Sequence, residues 1–292
     1  ETDPLPPLRT SFRDYVTLLE RRAANAPDPT AYAWWAGRFR SPYRPPVLAA
    51  GADRAPGVGH PDDAGTSEGA SRPAPVRGFT LDTTVVAGLR RLAAGAATTL
   101  HAPVLAAYHR ALAHHTGQDD LVVGLAVTGR DHPLPDLHRV FGPCAAMLPL
   151  RLTGTGAFPT DLARVAAEVA AARQHADPPA IAAAVPTGRP DGTPAGAQFF
   201  FSFLDFASLG PAADPVPMDA DSPGAARLSL SWDEDSELAP PPIGTDLFLT
   251  ARPGPDGLRV TLRGSPDAVT AADLDRLADR LRTDLSTAAA VT

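Results

Sequence analysis

The chain has 292 residues, enough for one large domain or two small ones around a substantial core. Apolar residues make up 44% and charged residues 20%, the balance of an ordinary globular protein. A net charge of −7 with no Lys–Arg run argues against a nucleic-acid partner, because a phosphate-binding face needs clustered cations. All 26 basic residues are arginine, Asn25 is the sole asparagine, and Ala, Pro and Gly abound, a pattern of GC-rich codon usage rather than of function. Cys144 is the only cysteine, which excludes an internal disulfide and a thiolate metal cage. No apolar run reaches the roughly 20 residues that span a bilayer. The opening Glu1-Thr-Asp-Pro has neither a basic n-region nor an apolar h-region and lacks a starting Met. The expectation is a cytoplasmic chain that begins inside a longer polypeptide or was trimmed.

Ser11 to Ala24 carries Phe12, Tyr15, Val16, Leu18 and Leu19 on a helical period, with Ser11 as N-cap. A short helix holds Tyr32, Trp34, Trp35 and Phe39. Residues 41–77 are rich in Pro, Gly, Ala and Asp without periodicity and read as a linker. Gly78 to Leu81 is a strand, and Asp82 caps a helix to about Ala94. Thr98 to about His114 is a helix with Leu100, Val104, Leu105, Tyr108 and Leu112 inward. Leu121 to Val127 is a nearly continuous apolar strand, as expected where both faces are covered, and Leu148 to Leu152 is another. A helix runs from Thr160 to His175. Gln198 to Phe206 is a strand, 207–226 a loop, and Leu228 to Trp232 an alternating strand. Thr245 to Ala251 and Leu258 to Leu262 form a hairpin around Pro253-Gly-Pro-Asp-Gly257. Thr270 caps a closing helix lined by Leu274, Leu277, Leu281 and Leu285. Strands mixed with packed helices mean an α/β layered fold.

Two segments say more. Asp119-Asp120-Leu-Val-Val-Gly-Leu-Ala-Val-Thr-Gly-Arg130 resembles D-D-(I/V)-V-V-G-x-P-V-A-G-R, and Phe141-Gly-Pro-Cys-Ala-Ala-Met-Leu-Pro-Leu-Arg151 resembles (I/F)-G-x-F-V-N-T-L-P-L-R. These are consecutive signatures of nonribosomal peptide synthetase condensation domains. Further pieces follow in family order. Phe12-Arg-Asp-Tyr15 looks like Y-x-D-Y, and Trp34-Trp35-Ala-Gly-Arg-Phe39 like Y-W-x-x-x-L. Ala97 to Tyr108 resembles G-A-T-x-(F/H)-x-x-L-L-A-A-(Y/F), His175-Ala-Asp-Pro-Pro179 resembles H-Q-D-x-P, Phe199 to Phe206 resembles Q-V-M-F-x-Y-Q-N, and Asp246-Leu-Phe-Leu249 resembles F-D-L-x-L. The resemblance runs from about residue 11 to about 288. It implies a chloramphenicol acetyltransferase-like layered sandwich, with this chain as a C-terminal lobe of mixed sheet and flanking helices. Residues 1–40 would lead from an N-terminal lobe, 41–77 would connect, and 78–292 would form the lobe.

The resemblance also implies a function: an amide or ester bond formed between acyl or peptidyl groups tethered to carrier proteins. No metal or organic cofactor is required, since the phosphopantetheine arm comes with the carriers. The family's catalytic H-H-x-x-x-D-G lies upstream of Y-x-D-Y, so the histidine is expected in an N-terminal lobe outside this sequence. His114-His115-Thr-Gly-Gln-Asp119-Asp120 imitates that motif. One reading makes His115 a general base with Asp119 as its partner; the other makes the segment a helix-to-strand turn stopped by Gly117, with His114 and His115 suited to a helix C-terminus. Ala146 stands where the family motif has asparagine, and Cys144 where it has an aromatic. Cys144 is read as a small packed hydrophobe unless a base lies beside it. Arg130 is read as anchoring a loop through an ion pair. Ser202 and Asp205 are candidates for the tunnel wall. His132, His138 and His175 lack metal-ligand spacing. A rival reading is a non-catalytic condensation-like module that recruits carrier or tailoring proteins. Either way an exposed apolar face is expected, for an N-terminal lobe or for a second copy.

Overall fold

The structure, a computed structural model, describes residues 7–48, 74–187, 194–205 and 245–291. The expected loop at 207–226, the strand at 228–232, Phe206 and most of the 41–77 linker lie outside them.

Helix α1 (Phe12–Ala23) starts at a reciprocal capping box: Ser11 accepts from the Asp14 backbone N–H while Asp14 accepts from the Ser11 backbone. Helix α2 (Pro29–Arg38) follows an Asp28 cap with proline at its first turn. Next come strand β1 (Val76–Leu81), helix α3 (Thr83–Gly95) capped by Asp82, and helix α4 (His101–Thr116). Strands β2 (Leu121–Val127) and β3 (Ala146–Leu152) precede helix α5 (Phe158–Gln174). Helix α6 (Pro178–Ala184) leads to strand β4 (Phe199–Phe203), then the hairpin of β5 (Leu247–Gly254) and β6 (Gly257–Gly264). Helix α7 (Ala271–Ala290) closes the chain on a second capping box, Thr270 with Asp273.

The strands make one mixed sheet in the order β1-β6-β5-β4-β2-β3. Its centre is parallel, β2 with β4 and β4 with β5, and its flanks are antiparallel. Register puts Leu148, Leu125, Phe201, Leu249 and Leu262 in one row across the sheet. All of them are buried, and α3, α4, α5 and α7 supply most of the rest of this core, with Ala31 and Trp35 of α2, Leu48 and Ala180 of α6 joining it. Burial on this scale is the main favourable term in folding. A smaller, separate cluster joins Tyr15 of α1 to Leu137, Val140 and Cys144 in the connection between β2 and β3.

Three differences from the sequence reading have physical causes. Helix α4 begins at His101 rather than Thr98, because Ala97 takes a left-handed conformation (φ 50°) and Thr98 donates back to the Ala93 carbonyl. Helix α6 was not expected, although Asp177 as cap before Pro178 and Pro179 is a helix-start pattern. The linker boundary shifts too. Residues 41–48 are pinned along one end of the sheet: Tyr43 accepts from the Val122 N–H, Gln118 donates to the Arg44 carbonyl, and Gln198 donates to that of Pro46. Strand β1 starts at Val76, within the expected linker. No helix among the described residues is long and apolar enough to cross a membrane.

Candidate functional site

The two signature segments form adjacent antiparallel strands, with Leu121 opposite Leu152 and Val127 opposite Ala146. At one end of this pair Arg151 grips Asp120 through two bonds, Nε to Oδ1 at 2.8 Å and Nη2 to Oδ2 at 2.6 Å. Its Nη1 donates to the carbonyls of Arg38 and Ser41, and its guanidinium lies over the rings of Phe39 and Tyr43. The Asp120 carboxylate keeps the guanidinium firmly protonated, against the cost of burial. The last residue of one signature and the second of the other thus hold together β2, β3, the end of α2 and the 41–48 strap. Nothing in the sequence taken segment by segment pairs these two residues; only antiparallel register does.

At the opposite end lie the carboxyl ends of the parallel strands β2, β4 and β5, where open α/β sheets place their ligands. Ala146 is here, exposed, opposite Val127. Ser202 is here, buried and level with Thr250. Asp205, half-buried, follows β4 two residues after its end. These three tunnel candidates therefore share one end of the sheet. Cys144 lies two residues before β3, buried in the small cluster, and its backbone carbonyl accepts from the Tyr15 hydroxyl at 3.0 Å. That hydroxyl is pushed above its ordinary pKa, first by burial. The surroundings of Cys144 are Tyr15, Leu137 and Val140, the packing of a small apolar side chain. Arg130 anchors the 130–142 loop, but through carbonyls rather than the expected carboxylate: Nη1 donates to Leu137 and Val140 at 2.7 Å each. The cause is local. The loop contains a single 3-10 turn (Leu137–Arg139), so its carbonyls need donors from outside, and a guanidinium carries five N–H groups.

The imitation motif sits elsewhere. Helix α4 runs through both histidines to Thr116 and stops at left-handed Gly117 (φ 71°), and β2 starts at Leu121. This end of the sheet is separated from Ala146 by the length of β2, about 20 Å for seven residues. His114 and Asp119 line one surface groove, while His115 lines a second, of about 850 Å³, against Asp273 and Arg276 of α7. His115 and Asp119 are therefore not brought into one groove. Burial holds His115 below its ordinary pKa; Asp273 opposes this, and Arg276 and His114 add to it. The Asp273 carboxylate is already engaged by Thr270 and Arg276. The Asp119 carbonyl is the partner of buried His109, 2.9 Å from its Nε2. A general base needs its substrate within hydrogen-bond reach, and among the described residues His115 and Asp119 do not line a common groove. Among the described residues no group of three or more His, Cys, Asp or Glu is placed to hold a metal ion.

One buried polar pair escaped the sequence reading. Gln198 donates to Asp246 at 3.0 Å and to the strap carbonyl of Pro46, at the amino ends of β4 and β5. Gln198 opens an expected strand and Asp246 opens the segment resembling F-D-L-x-L, and their shared position at strand starts was the available signal.

A family model described as "Condensation domain" matches residues 1–181. The chain belongs to the condensation domain family. Among relatives, it is 33% identical to a plipastatin synthase of Bacillus subtilis (strain 168) over 162 residues, 53% of this chain and 6% of that protein. It is 27% identical to malpinin synthetase of Mortierella alpina over 251 residues, 82% of this chain and 3% of that one. The condensation domain of the monacolin K polyketide synthase MokA superposes with a TM-score of 0.60 at 18% identity, covering 96% of this chain and 60% of that one. The first condensation domain of the calcium-dependent antibiotic synthetase gives 0.62 at 21%, covering 98% and 57%. The fold is thus that of condensation domains, the chloramphenicol acetyltransferase-like sandwich. This chain spans a small part of its curated relatives and about 60% of these solved domains.

Proposed function

We propose that this condensation domain chain acts as the C-terminal lobe of an acyltransferase in nonribosomal peptide biosynthesis. The reaction joins an acyl or peptidyl thioester on one carrier protein to an amine, or a hydroxyl, on another. The nucleophile adds to the thioester carbonyl, the tetrahedral intermediate collapses, and the pantetheine thiolate leaves and takes up a proton. The catalytic histidine is assigned to an N-terminal lobe, and this chain supplies a tunnel wall at Ala146, Ser202 and Asp205. Residues 1–40 and the connection up to β1 lead into it. No metal or organic cofactor enters the scheme; the phosphopantetheine arms belong to the carriers. The observation that carries the reading is the Asp120–Arg151 clamp, which locks the two signature strands side by side, with Ala146 at the carboxyl end of β2.

A second reading is favoured by Ala146, whose methyl group stands exposed where the family motif carries an asparagine amide. It makes the chain a non-catalytic module that recruits carrier or tailoring proteins. An intact-mass acyl-transfer assay with loaded carrier proteins separates the two. The acyltransferase reading expects no product from this chain alone, product when an N-terminal condensation lobe is supplied in trans, and no effect of His115→Ala. Product from the chain alone that is lost in His115→Ala overturns it. Silence in every arm with carrier binding intact establishes the recruitment module.

A further inference from the structure

Helix α1 meets the connection between β2 and β3 at a histidine. Nδ1 of His132 lies 3.1 Å from Nη1 of Arg22, which stands in the last turn of α1. A guanidinium has donors only, so Arg22 donates and the imidazole nitrogen accepts. The contact therefore requires a neutral ring whose single N–H is at Nε2. The Tyr15 ring lies against the same imidazole, with ring centroids 5.7 Å apart. Tyr15 and Arg22 stand two helical turns apart, on one face of α1. That face carries both contacts to His132.

Among the described residues, the charged or titratable groups bearing on this ring are Tyr15 and Arg22 from α1 and Asp131 beside it in the connection. Burial holds the imidazole below its ordinary pKa of 6.5; the Arg22 charge adds to this, and Asp131 opposes it. The other contacts across the joint do not respond to mild acid. The Tyr15 hydroxyl donates to the Cys144 carbonyl, and Gly142 lies directly against the Phe12 ring. Arg9 binds the Asp136 carboxylate through Nε at 2.9 Å and Nη2 at 3.0 Å, and these bonds hold that carboxyl far below the usual carboxylate range. His132 is therefore the contact in this joint that mild acid reaches.

We propose that the Arg22–His132 contact is an acid-sensitive latch: protonation of the imidazole expels Arg22 and loosens α1 from the β2–β3 connection while the sheet stays folded. The proton comes from solvent and lands on Nδ1. It turns the acceptor into a donor, so that N–H faces N–H and cation faces cation. The docked ring binds this proton less readily than the released ring. The latch is therefore fully closed above pH 6.5 and opens as pH falls below it. One proton limits the response to at most about tenfold per pH unit. The small cluster beneath α1 makes this joint the element whose opening such a change can bias. The inference does not depend on the proposed function. Under that reading the loosened segment is the stretch that leads in from an N-terminal lobe, and acid loosens the joint between lobes.

The test is amide hydrogen exchange of the whole chain from pH 7.5 to pH 5.5, corrected for the intrinsic pH dependence of exchange and read separately for α1 and for β2 and β4. In the wild type, α1 exchange should quicken as pH falls below 6.5, by up to about tenfold per unit, while the strands keep their protection. His132→Gln retains an acceptor for Arg22 but cannot titrate, so its α1 exchange should stay flat. Arg22→Gln retains a donor without the charge. It should shrink the acid response and raise the His132 pKa read by NMR of the ring protons, a change that a purely structural role for Arg22 does not produce. Flat α1 exchange in the wild type overturns the latch. So does a wild-type slope in His132→Gln, or a His132 ring that titrates at or above 6.5. Loss of strand protection in step with α1 makes the event global unfolding and also overturns it.

Discussion

His101 and Arg151 represent two fates of a polar side chain in this core. Arg151 meets a carboxylate, two carbonyls and two rings, so its charge is matched. The first residue of α4, His101, bonds Thr99 through Nδ1, and its buried Nε2 has no partner among the described residues. Burial, with help from the Arg173 charge, lowers its pKa from 6.5 to about 4. The folded state therefore holds this ring neutral where the unfolded chain would protonate it. Its contribution is complete above the unfolded pKa and is lost as pH falls from 6.5 towards 4, because the unfolded state binds the extra proton. The slope for one such group is about 1.4 kcal/mol per pH unit, or about 3 kcal/mol over the window. His109, held below its ordinary pKa chiefly by burial, adds in the same direction. Urea unfolding at pH 7 and pH 5 should show a marked loss of stability for the wild type. His101→Phe should remove about one proton's worth of that loss. An unchanged pH slope in this variant would mean that His101 is charged in the folded protein.

At the scale of elements, the positions that end a helix or turn a hairpin carry unequal constraints. Gly117 ends α4 in the left-handed region with open space around the missing Cβ. Gly257 opens β6 at φ 131°, and a Cβ there would run into the backbone carbonyl of Leu81 on β1. Gly117→Ala should therefore cost about 1 kcal/mol, the conformational preference alone. Gly257→Ala should cost more than twice as much, because β1 must move. Equal shifts in urea midpoint would refute the close approach of β1. Elements with strong local signals were legible in advance. Ser11, Asp82 and Thr270 cap the helices they were expected to cap, and Leu121 to Val127 is the strand its apolar run implies. The missed features depend on contacts between distant residues. Ala97 is left-handed because the α3–α4 turn demands it, although alanine does not favour that conformation. The 41–48 strap has no periodicity and is held by Gln118, Val122 and Gln198. The same limit applies to the candidate site. Ala146, Ser202 and Asp205 were named from family motifs, but their meeting at one end of the sheet is a property of parallel β2 and β4.

Across the whole molecule the two hydrophobic clusters differ greatly in size. The main core spans the sheet and its helices, whereas the cluster of Tyr15, Leu137, Val140 and Cys144 joins only α1 to the β2–β3 connection. Regions with few buried apolar contacts open locally at lower free energy than the global transition. The α1 region should therefore detach while the sheet stays intact. Cys144 reports this directly, because it is the chain's only cysteine and its side chain lies inside the small cluster. Under native conditions, labelling of Cys144 by a thiol reagent should give an opening free energy below that of global unfolding, with a weaker dependence on urea. Tyr15→Phe deletes the bond to the Cys144 carbonyl without emptying the cluster. It should speed labelling about fivefold, the equivalent of about 1 kcal/mol, and leave the global midpoint nearly unchanged. If labelling instead follows global unfolding in both free energy and urea dependence, the two clusters open as one unit. The loop that Arg130 anchors would then be as stable as the sheet itself.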